Sequence, residues 1–577
     1  MSGSSFKEEK SMGSRIVVVG GVAAGPKAAA RARRRDPKAE ITLVEKGELL
    51  SYAGCGLPFY IAGLVREARE LMSTPAGVVR DAAFFRSVKA IEVRSRNMAQ
   101  QIDRRRKELA VVDLESGEQT RLPYDKLVLA TGGSPIVPPM PGVDLRGVHR
   151  LGNPTDAVAI RDAIESDGVS RVAIIGGGLI GLEVADALAN QGLDVVILEM
   201  RDQLLPGVLD RDMAALVEKH LRGKGVELRL GAPVTGLEGD PQHRFRAALT
   251  EDGPVEADLA IMAIGVRPNV KLAADAGLAI GPTGAIAVNE LLQTSDPDIY
   301  AGGDCVENRH LVTGRPVYIP LGSTANKHGR VIGDNVTGGS ERFPGVVGTT
   351  VFRVLGLNVG RTGLTEQQAR DEGFSVVTSV VPSPDCAHYY PAARMVVVKL
   401  VADARTGRLL GAQSLGPGEA VKRIDVAATA ITLGADLEQL AGLDLGYAPP
   451  FSTAIDVIAH AANTARNKVS GMARSVSPLE VKRRMEAGED FVLLDVRSPA
   501  EYEQERIDDP RVRLIPLGKL RERLGELPRD RDIVAFCKLS LRGYEACTIL
   551  AGAGFTRVSF MDGGLVGWPY ELAGGKE

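Results

Sequence analysis

The 577-residue sequence predicts an α/β protein with two Rossmann-like dinucleotide-binding domains, an α+β domain and a C-terminal α/β domain. Three observations carry that prediction. Two blocks repeat one order: apolar run, glycine-rich turn, alanine-rich stretch, second apolar run, closing glutamate. Beyond about Gly345 the pattern changes to alternating strands followed by amphipathic helices. After a polar segment, 463–478, buried strands such as "DFVLLDVRS" and "DIVAFCKLS" alternate with helical stretches.

The first block is "RIVVVGGVAAGPKAAARARRRDPKAEITLVEK", Arg15 to Lys46, and the second "RVAIIGGGLIGLEVADALANQGLDVVILEM", Arg171 to Met200. Each reads as strand, turn, helix, strand. Glycine permits the tight turn and the close approach of a pyrophosphate to the helix N-terminus. The second block has the full spacing, Gly176, Gly178 and Gly181. The first keeps Gly20 and Gly25 but has Val22 in the middle. Glu45 and Glu199 close the blocks where a carboxylate accepts from ribose hydroxyls, and Glu199 favours NADH by repelling a 2′-phosphate. Arg201, two residues on, softens that preference toward some use of NADPH. Between and after the blocks stand a buried strand ending at Thr131 and Gly132, and a "GGD" step in which Asp304 follows Gly303. In this context Asp304 is expected against a cofactor's ribityl chain.

Net charge is −3, so the bulk of the chain attracts neither nucleic acid nor an anionic membrane. No run reaches the roughly 18 apolar residues of a membrane helix. Residues 1–14 are polar and are expected to be a disordered tail. The five cysteines, Cys55, Cys305, Cys386, Cys537 and Cys547, are odd in number and contain no CxxC pair. That argues against a disulfide framework or zinc site and for reduced, cytoplasmic thiols. The seven histidines show no metal-ligand spacing, so no metal is expected.

Cys55 lies in "SYAGCGLPFY", between two glycines and before a short helical stretch. A thiol at a helix N-terminus is stabilised as thiolate by free N–H groups. Flavin-to-disulfide chemistry needs a second sulfur, and no cysteine is near in sequence. Lys27, Arg31 and Arg34 fall on one helix face just after the first turn. They read either as a solvated basic surface or as a site for a phosphate-rich ligand.

Taken in order, the FAD-type turn, single cysteine, ATG turn, NAD-type turn, GD step, "HYYP" and "YAPPFS" resemble the coenzyme A-disulfide reductase branch of the flavin disulfide reductases. The remainder resembles a rhodanese domain through "LLDVRSPAEYEQERI", "FCKLSLRG" and "MDGGLVGWPY". The fusion is similar to CoA-dependent NAD(P)H persulfide or polysulfide reductases. The resemblance implies an FAD domain at 15–150 and 270–345 and an NAD(P)H domain at 151–269. It implies a dimerisation domain at 346–465, a linker at 466–477 and a rhodanese domain at 478–577.

By the same resemblance, FAD, NADH (with some NADPH) and coenzyme A are the cofactors, and the enzyme is a cytoplasmic homodimer. CoA contacts fall on Lys27, Arg31, Arg34, Ser51, Gly54, Lys89 and Asn326. Gly54 stands where the family often has Asn, and Ile455 where it often has Lys. Glu183 matches a position near the nicotinamide. Tyr389 and Tyr447 match two tyrosines that reach the active site across the dimer, with Tyr390 an adjacent competitor. Cys537 and Arg542 have the Cys-x₄-Arg spacing of the sulfurtransferase loop, whose backbone N–H groups face the sulfur. Two features depart from that pattern: "ERIDDPRVR" replaces the usual "GHIPGA", and Ser540 replaces an internal glycine.

The implied activity is reduction of CoA persulfide sulfur to hydrogen sulfide, with Cys537 loading sulfur and Cys55 reacting at the flavin. Attack by Cys55 can release either sulfide or CoA first. The alternatives are CoA-disulfide reduction with an accessory rhodanese domain, and a redox-sensing sulfur carrier. Cys305, Cys386 and Cys547 are expected to be structural.

Overall fold

A computed structural model of the protein describes residues 13–166 and 168–574, so all but the end of the expected 1–14 tail lies outside the described residues. The chain divides into two compact units. One comprises residues 1–172, 236–248 and 256–346; the other comprises 173–235, 249–255 and 347–577.

The first unit is built on a parallel sheet. Its strands run in the order Ile299–Ala301, Lys126–Leu129, Arg15–Val19 (β1), Glu40–Val44 (β2) and Glu92–Arg94. β1 and β2 are joined through the helix Ala24–Arg35 (α1). Ala28, Ala29 and Ala32 bury its inner face, while Arg33, Arg34 and Arg35 complement the negative C-terminal end of its dipole. α1 packs on the helix Gly322–Asn335, and glycine makes that approach possible. A Cβ at Gly329 would lie 2.5 Å from the Ala24 carbonyl oxygen, and one at Gly333 2.7 Å from that of Ala28.

The second unit holds the strands of the second dinucleotide block. Asp194–Glu199 is flanked by Glu227–Leu230 and by the strand ending at Ile175. It also holds a five-stranded antiparallel sheet in the order Thr350–Val354, Leu357–Gly363, Leu409–Gly416, Met395–Asp403, Val376–Pro384. The Lys399 ammonium is buried among Asp210, Asp212 and Glu366, 3.2, 2.8 and 3.0 Å away. Burial alone would lower its pKa; the three carboxylates raise it. Removing Lys399 would leave three carboxylates facing one another without their cation.

The C-terminal sheet is parallel, in the order Ser475–Val476, Val558–Met561, Asp532–Phe536, Phe491–Asp495, Val512–Leu514. The polar stretch read as a linker is mostly ordered secondary structure. The helix Val457–Val469 runs through its first part, and Ser475–Val476 is an edge strand. The helix buries Ala461, Ala462 and Ala465, and Ser379 donates to the Ala461 carbonyl at 2.8 Å. Lys468 on this helix donates to the Thr378 carbonyl at 2.8 Å and pairs with Asp562 of the C-terminal domain. Among the described residues no helix is long and apolar enough to cross a membrane.

Candidate active sites

The two dinucleotide turns are cradles of bare backbone. Gly20 and Gly176 sit at φ +110° and +113°. A Cβ at Gly20 would lie 2.0 Å from the Ala130 oxygen. Cβ atoms at Gly25 and Gly181 would lie 1.9 and 2.2 Å from the oxygens of Gly20 and Gly176. Gly178 faces open space. Both closing glutamates brace their own turns. Glu45 accepts from the N–H groups of Gly21 (2.6 Å) and Gly47 (2.7 Å), and Glu199 from Gly177 (2.7 Å) and Arg201 (2.8 Å). A carboxylate has about four lone-pair sites, so each retains capacity for a ribose hydroxyl.

Asp304 provides the structural test for a bound flavin nucleotide. It follows Gly303, whose φ is +81° and whose Cβ position would lie 3.2 Å from the Ala24 side chain in the first turn of α1. Burial alone pushes the Asp304 carboxyl up. A half-buried carboxylate beside the helix start of the first dinucleotide turn fits a hydroxyl-bearing chain. Thr131 and Gly132 are fixed by a residue the motifs did not single out. Asn269 takes the Thr131 hydroxyl on its carbonyl (2.7 Å), donates its amide to the Thr131 carbonyl (2.8 Å) and its backbone N–H to Gly132 (2.9 Å). On the helix Leu179–Ala189, burial and then Asp186 push Glu183 up to about 7.

Cys55 is exposed, in the single 3₁₀ turn Gly54–Gly56 that enters the helix Leu57–Ile61 (α2). α2 has only five residues, so its dipole is a fraction of a full helix's and lends the thiol less than the sequence pattern suggested. Nothing lies within 4 Å of a Cβ built on Gly54. The side chain absent here therefore leaves open space beside the sulfur. Ser51 sits at φ +51° and donates its N–H to the Gly21 carbonyl at 2.8 Å, tying this loop to the first turn.

The basic stripe is not uniform. Arg31 is held bidentately by Asp334 (2.7 and 3.0 Å), with Arg35 at 3.3 Å from the same carboxylate. Of the three expected phosphate-binding cations, Arg31 thus shares one carboxylate with Arg35, while Lys27 and Arg34 stand exposed. Asn326 is exposed one turn before Gly329, the position that packs against Lys27. Lys89 ends the helix Ala82–Lys89, 5.6 Å over the Phe84 ring, and Arg33 donates to the adjoining Ala90 carbonyl at 2.7 Å.

In the second unit, Tyr447 acts electrostatically on Tyr389. The Tyr389 phenol is pushed up by burial and then by Tyr447. Both are exposed, as are Phe451 and Ile455 nearby in sequence.

Cys537 follows the strand Asp532–Phe536 and is buried. The next segment closes over it: Leu565 and Val566 donate to the carbonyls of Cys537 (3.0 Å) and Lys538 (3.2 Å). Gly564 fits there because any Cβ would lie 2.5 Å from the Cys537 oxygen. Ser540 completes the loop at φ +83°, where the family has glycine, and donates to the Met561 carbonyl at 3.3 Å. The helix Leu541–Gly552 then starts, carrying Arg542. Its guanidinium grips Glu501 through two bonds of 2.8 and 2.6 Å. Glu501 first, and the Cys537 sulfur after it, hold that guanidinium charged. Glu501 had gone unmarked, although Ser498-x-x-Glu501 is a legible capping box. Cys547 is pushed up to about 12 by burial, and burial likewise raises Cys305. Among the described residues no group of three or more His, Cys, Asp or Glu is placed to hold a metal.

Comparison with known proteins gives three matches along the chain. The pyridine nucleotide-disulphide oxidoreductase family matches residues 14–329, its dimerisation domain 349–459 and a rhodanese-like domain 477–570. A CoA-dependent NAD(P)H sulfur oxidoreductase of Pyrococcus furiosus is 38% identical over 444 residues, 77% of this chain and 97% of that protein. An NAD-dependent persulfide reductase from A. fulgidus superposes with a TM-score of 0.91 at 45% identity, covering 96% of this chain and 100% of its own. The reduced Bacillus anthracis CoADR-RHD superposes with a TM-score of 0.89 at 37% identity, covering 96% and 98%.

Proposed function

Because the chain belongs to the pyridine nucleotide-disulphide oxidoreductase family and carries a rhodanese-like domain, we propose that it reduces the sulfane sulfur of CoA persulfide or polysulfide with electrons from NAD(P)H and releases hydrogen sulfide. One observation carries the reading: a single chain holds two thiols in opposite settings. Cys55 is exposed in the loop tied to a dinucleotide turn, and Cys537 is enclosed in a loop capped by Arg542.

The residues divide the work. The Cys537 thiolate takes a sulfane sulfur and becomes a persulfide, whose anion is stabilised by the loop N–H groups and Arg542. The thiolate of CoA attacks the outer sulfur, forming CoA persulfide and returning Cys537 as thiolate. Cys55 attacks the CoA sulfur of that persulfide; the S–S bond breaks, hydrosulfide leaves and a Cys55–CoA disulfide forms. Two electrons and one proton reopen it to CoA thiol and Cys55 thiolate. The Gly20–Gly25 turn, Glu45 and Asp304 would hold FAD, and the Gly176–Gly181 turn with Glu183 and Glu199 would hold NAD(P)H, which together would supply those two electrons. In a homodimer the Tyr389–Tyr447 pair of one subunit serves the other subunit's Cys55, a phenol donating to the departing sulfur. Regenerating two thiolates in every cycle suits the reducing cytoplasm.

The test compares wild type with Cys537→Ala on CoA persulfide, on CoA disulfide, and on an inorganic sulfane donor with CoA. The variant should keep both direct activities and lose donor-dependent sulfide release. Equal CoA-disulfide turnover with negligible persulfide turnover in the wild type would instead assign CoA-disulfide reduction.

A further inference from the structure

The Arg542 guanidinium is not presented to the Cys537 sulfur as a bare charge. Its two terminal nitrogens are taken by the Glu501 carboxylate at 2.8 and 2.6 Å, in a parallel fork that fixes the plane of the group. Glu501 is itself anchored. It accepts from the Ser498 N–H and hydroxyl, both at 3.0 Å, as the third residue of the helix Pro499–Gln504. That helix is pinned by the buried Arg497, which bonds the carbonyls of Glu501 (3.2 Å) and Glu505 (2.8 Å) and forks onto Asp495 (2.7 and 3.0 Å). The relay therefore runs from the end of one central strand to the sulfur at the end of its neighbour. The other charges around the loop have their own partners. Asp495 is matched by Arg497, Lys538 lies 3.9 Å from Glu505, and Asp562 is held by Lys468 and Ser475.

We propose that Glu501 is the positioning residue of the sulfur-loading site: it aims the Arg542 guanidinium at Cys537 and tempers its charge, so that the pair rather than a lone arginine sets the pH at which Cys537 becomes a thiolate. The inference rests on the reading of Cys537 as the sulfur-loading thiol. The tempering has a chemical use. A thiolate stabilised too strongly is a poorer nucleophile toward the sulfur donor, since nucleophilicity falls with pKa. The bidentate fork to Glu501 also holds the planar guanidinium in one orientation at the start of the helix that follows the Cys537 loop.

Glu501→Gln isolates the charge, because Gln also supports a capping box and preserves the helix Pro499–Gln504. In the full-length holoprotein, the pH dependence of iodoacetamide labelling is followed at the Cys537 peptide by mass spectrometry, which separates it from Cys55. Persulfide formation on Cys537 from thiosulfate is read from the same peptide. The labelling midpoint of E501Q should fall by about half to one pH unit, since the carboxylate that compensates Arg542 is removed. A midpoint that stays in place or rises overturns the proposal. Should E501Q fail to fold, Glu501→Asp carries the test. It keeps the charge but withdraws the carboxylate, so persulfide loading should slow at least tenfold with the midpoint near that of wild type. Unchanged loading in E501D overturns the proposal equally. A wild type that acquires no persulfide at Cys537 refutes the sulfur-loading reading itself, which is a different result from a normal wild type with an unresponsive variant.

Discussion

Cys55 and Cys537 show two ways of placing a reactive sulfur. Cys537 is buried at a strand end, its loop carbonyls bonded by Leu565 and Val566 and its arginine held by Glu501. Everything that activates it comes from one domain of under a hundred residues. Cys55 is exposed in a short turn before a five-residue helix, with open space beside Gly54. Its surroundings are completed by what binds: a flavin nucleotide, CoA and, in the proposed dimer, a tyrosine pair from the other subunit. The first is a preorganised anion cradle, and the second is an assembly point that acts once its partners arrive.

The comparison breaks most visibly if either sulfur can be removed without separating the two activities. Cys55→Ser should lower NAD(P)H-dependent reduction of CoA persulfide and CoA disulfide by on the order of 10³-fold or more. Persulfide loading on Cys537 should survive, read by mass spectrometry after incubation with thiosulfate. Loss of both in a folded Cys55→Ser variant would show that the centres are one site. Next in size is Arg542→Lys, which keeps the charge but loses the fork to Glu501. Loading of Cys537 should fall on the order of 10²-fold, the usual cost of removing one oriented donor. Flavin-linked reduction of CoA disulfide, assayed in parallel, should be unchanged.

How far each centre was legible in the sequence follows from the range of the contacts that build it. Gly20, Gly25, Gly176 and Gly181 act on backbone a few residues away or at a fixed strand neighbour, so their spacing alone announced them. Cys537 and Arg542 lie within one loop and its helix, and were equally plain. The contacts that adjust these sites cross the chain. Arg542 meets Glu501 at a separation of 41 residues and Arg31 meets Asp334 at 303, and no local pattern encodes either. Hence local sequence shows the charges of Arg31 and Arg542 without the carboxylates that pair with them. The segment 463–478 misled for another reason. The large buried residues of its helix, Val457 and Ile458, lie before the segment, and within it the helix buries only Ala465, so composition reads as polar linker although the helix is packed.

Two glutamates sharpen the contrast further. The Arg542 guanidinium, helped by Ser498, holds Glu501 down to about 2, whereas burial and Asp186 push Glu183 up to about 7. Glu501 is thus ionised throughout the working range, while Glu183 titrates within it. A raised carboxyl pKa means that the folded chain holds the proton more tightly than the unfolded one. Ionisation of Glu183 therefore opposes folding increasingly from about pH 4.5, and fully above about pH 7. Glu183→Gln should match wild type near pH 4.5 and be more stable by about 3 kcal/mol at pH 8, measured as a difference in thermal midpoint without nicotinamide. A pH-independent difference would remove Glu183 from the titrating groups of the nucleotide site.

The smallest expected effect tests how much strain the Cys537 cradle stores. Ser540 sits at φ +83° and ψ −37°, a region in which an L-residue costs on the order of 1–3 kcal/mol. Its one visible compensation is the long 3.3 Å hydrogen bond to the Met561 carbonyl, worth about 0.5–1 kcal/mol. Ser540→Gly removes the strain and that bond and loosens the unfolded chain by about 0.4–1 kcal/mol. The balance runs from about 1 kcal/mol against the glycine variant to about 2 kcal/mol in its favour, with its centre about 0.5 kcal/mol in its favour, seen as at most a small shift in the unfolding midpoint of the C-terminal domain. The loading rate of Cys537 discriminates more sharply than that shift. If Ser540 only marks a tolerated departure from glycine, loading is unchanged. If the hydroxyl's tie to Met561 keeps the loop N–H groups aimed at the sulfur, loading falls even where the protein is no less stable. That outcome in a more stable variant would make the cradle a place where stability is given up to orient the donors, as the exposed turn at Cys55 does not require.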